Sequence, residues 1–337
     1  MKLSEPSAPV TLRDVAAASG VSISTASRAL DDRGTPSRSA TAEHVRKVAA
    51  ELGYRRNSFA SNLRRGQTRT LGVLVPRLRD VAMGLIFESI EEAASSRGYF
   101  AMVATTGDDP AGQQVAVDSL LDKNVDGIIL ANARVDDELS KTFRRKNLPH
   151  ALVLRTDGIS PSAIGDDEMG GYLAVRHLID LGHRDIGIIV GPSYTSTGIA
   201  RRKGAQNALI EAGLDLQENW FASTGYDIAN GMETGTSMLS QGNRPTAIFA
   251  ASDNLAIGVM SAAYRLDITV GKDLALVGYN DLPLASMLPV PLTSVRLPFD
   301  QMAANAVDMI VHPSKEPSVR KSLPSLIPRD SSGSRIS

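Results

Sequence analysis

The sequence predicts a small all-α helix-turn-helix head followed by an α/β core of two doubly wound parallel-sheet subdomains. Three observations carry this. Residues 11–30, TLRDVAAASGVSISTASRAL, hold two short helical patterns around a Ser19-Gly20 break. From residue 71 onward, apolar strand-like runs alternate with amphipathic helical stretches. The charge is also split: residues 1–70 carry twelve Lys or Arg against six Asp or Glu, whereas the other 267 residues carry 24 against 31. A basic head on an acidic body suits a polyanion partner.

In the head, Thr11 and Asp14 fit a capping box that starts a helix at Leu12. Leu12, Val15 and Ala16 share its buried face. Gly20 supplies the positive φ of a tight turn, and Val21 anchors that turn. Ser22 is a good N-cap for a second helix, Ile23 to Leu30, which buries Ala26, Ala29 and Leu30 and turns Ile23, Ser24, Thr25, Ser27 and Arg28 outward. Helix, glycine turn, then a helix with a polar face is the unit whose second helix enters the DNA major groove. An ordinary helical hairpin is the bland alternative. Val45, Val48, Ala49 and Leu52 predict a third helix, ended by Gly53.

Residues 54–70, YRRNSFASNLRRGQTRT, carry five arginines and no acid. Asn57 can cap a short helix holding Phe59, Ala60 and Leu63. Alone it is too short to be stable in water, so it folds against DNA or a partner copy, or else it is a basic linker.

The core runs are LGVLVP at 71, YFAMVA at 99, VDGIILA at 125, HALVLR at 150, IGIIVG at 186, TAIFAA at 246 and LALVGYND at 274. Their alternation with helical stretches such as FESIEEAASSRG and IARRKGAQNALIEAG means parallel sheets covered on both faces, with four to five strands per half. Ligands of such sheets bind beyond the carboxyl ends of the strands. Those ends are polar here, as in Arg155-Thr156-Asp157 and Ser252-Asp253-Asn254.

Composition excludes several classes. The apolar share of 42 % suits a globular chain with a sizeable core. The absence of cysteine rules out disulfides, thiolate metal sites and a cysteine nucleophile. No apolar run approaches the roughly 20 residues of a membrane span. The start, MKLSEPSAPVTLRD, has no apolar stretch after Lys2, so no signal peptide and a cytoplasmic location are expected. There is no G-x-S-x-G, Walker A or G-x-G-x-x-G motif. His177 and His183 are six apart, not at the i, i+4 spacing of a helical metal pair. Asp166-Asp167 reads as acids suited to a helix N-terminus before any catalytic pair. No enzyme, metal site or cofactor is expected. A secreted solute-binding protein would share the core but lack residues 11–70.

VTLRDVAAASGVSISTASRAL, ELGYRRNSFASNL, VDGIIL, RHLIDLGHRDIGIIVGP, FAASDNLAIG and LVGYNDLPLASMLPVPLTSVR occur in that order. From about Val10 to Ser331 the chain thereby resembles the LacI/GalR family of bacterial transcription regulators. The resemblance implies a DNA-binding head (1–56), a hinge helix and linker (57–70), and a periplasmic-binding-protein-like core (71–331). The core would comprise an N-subdomain (about 71–165 and 296–323) and a C-subdomain (about 166–295 and 324–331), with a tail at 332–337. It implies a homodimer on a near-palindromic operator, repression as the common mode, and a small effector in the core cleft that changes DNA affinity.

By the same resemblance, Ile23, Ser24 and Arg28 fall at base-reading positions, and Thr11, Ser22, Thr25 and Asn57 at phosphate-contacting ones. Leu63 matches an apolar minor-groove wedge, with Arg64 beside it. Arg155, Arg201 and Asp253 match effector-contacting positions, Ser252 and Asn280 lie at two more, and Tyr226 sits where a ring stacks on the ligand. Asp80 and Val81 lie on the first cleft loop. The effector would then be a sugar, a sugar acid or a sugar phosphate. An Arg155–Arg201 pair would suit a carboxylate or phosphate. Alternatively, Arg155 pairs with Asp157, or Arg201 grips hydroxyls. The chain departs from the family at Arg56 (often Pro), Ala42 (usually Arg), Ala205 (often aromatic) and the slightly long loop 31–39.

Overall fold

The computed structural model describes residues 10–30, 37, 39–54, 68–107, 109–136, 138–314, 316 and 318–333. The chain divides into two compact units between Thr68 and Arg69.

The first unit holds α1 (Leu12–Ala18), α2 (Ile23–Ala29) and α3 (Ala40–Glu51). The Thr11 hydroxyl accepts from the Asp14 N–H while the Asp14 carboxylate accepts the Thr11 N–H at 2.8 Å, a reciprocal cap. Gly20 turns the chain at φ +65°. The Ser22 hydroxyl then accepts the Thr25 N–H at 3.1 Å and starts α2. Five of the seven buried apolar side chains are alanines: Ala16, Ala26, Ala29, Ala42 and Ala49, with Val15 and Val45. Small side chains let the three helices cross closely. Arg46 of α3 donates to the Ala29 carbonyl at 3.2 Å, closing the end of α2.

One expectation needs correcting here. Leu52, expected on the buried face of α3, is 39 % exposed, and Ala42 is buried instead. The helix starts at the Ser39 cap, so Ala42, Val45 and Ala49 form its inner stripe and Leu52 lies past its last turn.

The second unit runs β1 (Thr70–Val75), α4 (Val81–Ser95), β2 (Phe100–Thr105), α5 (Pro110–Leu121), β3 (Gly127–Leu130), α6 (Glu138–Arg145), β4 (His150–Val153), β5 (Ser162–Gly165) and α7 (Asp167–Asp180). It continues with β6 (Ile186–Val190), α8 (Ser196–Glu211), β7 (Phe221–Ser223), α9 (Ile228–Leu239), β8 (Ala247–Ala250), α10 (Asp253–Arg265), β9 (Ala275–Asn280), β10 (Thr293–Arg296), α11 (Phe299–Val311), β11 (Val319–Ser322) and β12 (Ser325–Ile327). One sheet has the order β2-β1-β3-β4-β5-β11, all parallel; the other is β7-β6-β8-β9-β10-β12, parallel except for the β10–β12 edge pair. The chain passes between the two lobes three times: after β5, after β10 and after β11.

All seven apolar runs are strands. Each sheet has six strands rather than four or five. The additional ones, such as β5 (SAIG) and β11 (VRKS), are short or polar and carry no continuous apolar run. Helices α7 and α8 cross with their backbones nearly touching. A Cβ at Gly171 would lie 2.2 Å from the Arg201 carbonyl oxygen, and one at Gly204 would lie 1.8 Å from that of Glu168.

Candidate functional site

Each unit carries one part of the functional surface. On the head, Thr11, Ser22, Ser24 and Arg28 are exposed, as is Ile23 at 47 %. Thr25, expected to point outward, is half-buried, and its hydroxyl lies 2.8 Å from that of Ser22. The Ser24 hydroxyl also lies 2.8 Å from Ser22 Oγ, so the start of α2 presents three clustered hydroxyls. Arg28 reaches back to the Ser24 carbonyl over 3.4 Å, a long bond that leaves its donors for another acceptor. Asn57, Leu63 and Arg64 lie outside the described residues.

In the core, the carboxyl ends of both sheets wall a cavity of ≈ 260 Å³. Six of the eight sequence-derived effector residues line it: Asp80, Arg155, Arg201, Tyr226, Ser252 and Asn280. Two do not. Val81 is 45 % exposed elsewhere on the first turn of α4. Asp253 points into the C-terminal lobe, where its carboxylate accepts the Leu282 N–H and the Ser294 hydroxyl, both at 2.6 Å.

Arg77, Tyr194, Thr197, Asp227 and Asn254, which the sequence did not assign to the effector one by one, also line the wall. All five sit on strand-end loops or first helical turns, and four of them fall within the polar strand ends that the sequence marked. Asp80 and Asp227 are N-caps of α4 and α9. Burial pushes the Asp80 carboxyl above its ordinary range, against the hydrogen bonds from Ala82 N–H and Asn254. The Tyr226 ring lies over Gly191, where a Cβ would come within 1.9 Å of it, and its hydroxyl meets Thr197 Oγ1 at 3.0 Å. At the end of β4, Leu154 takes φ +66°. This backbone region costs a branched residue about 1–2 kcal/mol, and Arg155, the next residue, lines the cavity.

Arg201 is not the bare cation that its position suggests. Its Nε donates to Asp167 Oδ1 at 2.8 Å, its Nη1 donates to the Ala251 carbonyl at 2.7 Å, and the guanidinium lies 3.7 Å from the centroid of the Tyr279 ring. Burial works against the charge, yet Asp167 holds the guanidinium above its usual range. Asp167 is only 5 % exposed. The sequence showed it as an acid at a helix start; the structure makes it the counterion of Arg201. Asp157, the alternative partner considered for Arg155, is held by Arg144 and Ser160.

Direct contacts join the two lobes across the cleft. Asn254 donates to Asp80 at 3.2 Å, Val135 N–H to the Tyr194 carbonyl at 3.1 Å, and Thr156 N–H to Ser196 Oγ at 2.9 Å.

Burial also pushes the Asp253 carboxyl up to about 7, against its bonds to Ser294 and Leu282. An Asp in an unfolded chain titrates near ~3.9. The folded state therefore favours the protonated form, and stability falls as pH rises from about 4 through 7. Urea unfolding across that window should show this fall in the wild type and a flatter profile in Asp253→Asn. Parallel profiles would show that Asp253 does not set the slope.

No group of three or more potential metal ligands occurs among the described residues, and none of their helices is long and apolar enough to cross a membrane.

Comparison with known proteins agrees with this division of labour. Residues 11–57 match the model for bacterial regulatory proteins of the lacI family, and residues 175–332 match a periplasmic binding protein-like domain. The ribose operon repressor of Haemophilus influenzae is 31 % identical over 91 % of this chain and 92 % of its own. The HTH-type transcriptional regulator DegA of Bacillus subtilis is 34 % identical over 87 % and 88 %. A Lac repressor dimer bound to operator and the anti-inducer ONPF superposes with a TM-score of 0.86 at 27 % identity, covering 97 % of this chain and all of that one. Likeness runs through both the helix-turn-helix and the cavity-bearing core, and the chain belongs to the lacI family of bacterial regulatory proteins, a DNA-binding transcriptional regulator and not an enzyme.

Proposed function

We propose that the protein represses transcription as a homodimer on a near-palindromic operator, and that an uncharged polyhydroxylated effector of monosaccharide size, bound in the cleft, sets its operator affinity. The charge balance of the cavity carries this reading. Arg77, Arg155 and Arg201 are matched by Asp80, Asp227 and the Asp167 counterion, which leaves hydrogen-bonding groups without a net charge. The sequence-based case for a sugar acid or sugar phosphate rested on an Arg155–Arg201 pair facing the ligand, and Arg201 is already paired with Asp167. The ≈ 260 Å³ volume lies just below the ~300–1,000 Å³ of typical small-molecule sites, which favours a small ligand. Tyr226 offers the ring face on which a sugar stacks.

Ile23, Ser24 and Arg28 would read bases in the major groove, while Thr11, Ser22 and Thr25 hold the phosphates. In the segment outside the described residues, Asn57, Leu63 and Arg64 would take phosphate and minor-groove roles. The protein would reside in the cytoplasm, on the nucleoid when bound to its operator.

The test has two steps. Selection from a random DNA pool should return a two-fold symmetric site whose affinity falls ~10³–10⁵-fold between 50 and 200 mM salt. Titrating that complex with neutral aldoses should then shift its affinity. An unselective or salt-insensitive protein would overturn the DNA reading. A complex indifferent to every aldose but responsive to aldonates would overturn the effector class.

A further inference from the structure

The Asp167–Arg201 pair is built at some cost, since two charges are taken out of water to make it. It also depends on the close crossing of α7 and α8. Asp167 stands four residues before Gly171, and Arg201 three residues before Gly204, so on each helix the charged residue and the glycine share a face. The glycines bring the backbones together, and the two side chains meet beside the contact. Asp167 does not line the cavity, but Arg201 does. Of the five guanidinium N–H groups, Nε–H and one on Nη1 are committed, which leaves three for a ligand.

We propose that Asp167 is a specificity-determining residue that acts through Arg201: by keeping the guanidinium neutralised from behind, it makes the cleft accept hydroxyl groups and refuse carboxylates and phosphates. A hydroxyl accepts from the remaining N–H groups and adds no charge. An anionic ligand at the same place would put a second negative charge against a buried cation that Asp167 already satisfies. The other ionic groups of the wall do not relieve this, because Arg77 acts on both Asp80 and Asp227, and Arg155 acts on Asp80. With Asp167 made neutral, the wall carries one net positive charge, and its preference turns toward anions.

The inference rests on the cleft being the effector site, and the experiment separates the two. Inorganic phosphate is titrated by calorimetry into the full-length wild type, Asp167→Asn, Asp167→Ser, Asp167→Glu and Asp167→Asn/Arg201→Gln. Either Asn or Ser at 167 suffices, whichever variant folds. Phosphate affinity should rise about a hundredfold in the single neutral variants. It should stay at the wild-type level in Asp167→Glu, which restores the charge, and in the double variant, which removes both charges. A merely structural role for Asp167 would lower the melting temperature without this pattern. Wild-type protein that already binds phosphate in a manner lost in Arg155→Ala, or neutral variants that bind it no better than wild type, would overturn the proposal. In parallel, a panel of neutral aldoses and their aldonates on the wild type tests the effector reading itself. If none binds while the phosphate pattern holds, that reading fails and the role of Asp167 in the charge of the cleft stands.

Discussion

Gly204→Ala is expected to destabilise the core by about 3 kcal/mol or more, although alanine is the better helix former by ~1 kcal/mol. The added Cβ would lie 1.8 Å from the Glu168 carbonyl oxygen and 2.8 Å from the Tyr172 nitrogen, both backbone atoms that no rotamer change can clear. The helices must separate, and the Asp167–Arg201 contact opens with them. Loss of stability in urea should therefore be accompanied by loss of effector binding. Gly242→Ala, where a Cβ meets nothing within 4 Å, is the control and should be silent. A Gly204→Ala protein of wild-type stability would mean that α7 and α8 have slack at this crossing.

The second large effect is on DNA. Arg28→Ala should weaken operator binding by ~1–3 kcal/mol per half-site and relax preference at one base pair in each, as expected of a bidentate contact to guanine. Arg28 is exposed on α2, and its bond to Ser24 is a long one. The mutation leaves the alanine core of the head untouched, so folding should not change. Equal losses on operator and scrambled DNA would reassign Arg28 to the phosphate backbone.

The head was legible in the sequence almost residue by residue because its determinants are local. The Thr11–Asp14 cap, the Gly20 turn and the Ser22 cap each act within four residues. What failed was the inner stripe of α3, which runs from Ala42 rather than on to Leu52, because the hydrophobic periodicity was read without the Ser39 cap that sets where the helix begins. In the core, the polar ends of buried strands located the cavity, and the family resemblance supplied six of its wall residues. The two misplacements share one cause. Val81 and Asp253 begin helices at the right height but point away from the cleft, and direction at a first helical turn depends on tertiary packing. The Asp167–Arg201 pair was beyond reach for a related reason: it joins side chains 34 residues apart through a helix crossing that only the glycines reveal.

The strand order has a consequence for synthesis. The first lobe lacks its edge strand β11, and the helix α11 that packs over β4 and β5, until the chain has been made through Ser322. That point lies 157 residues beyond Gly165, the end of β5. At ~5–20 residues per second, the ribosome takes roughly 10–30 s to cover the distance. The head, whose contacts are all local, can be folded throughout. The apolar face of β4 and β5 is uncovered for the same interval, so the nascent chain is most prone to chaperone capture and aggregation while the second lobe is being translated.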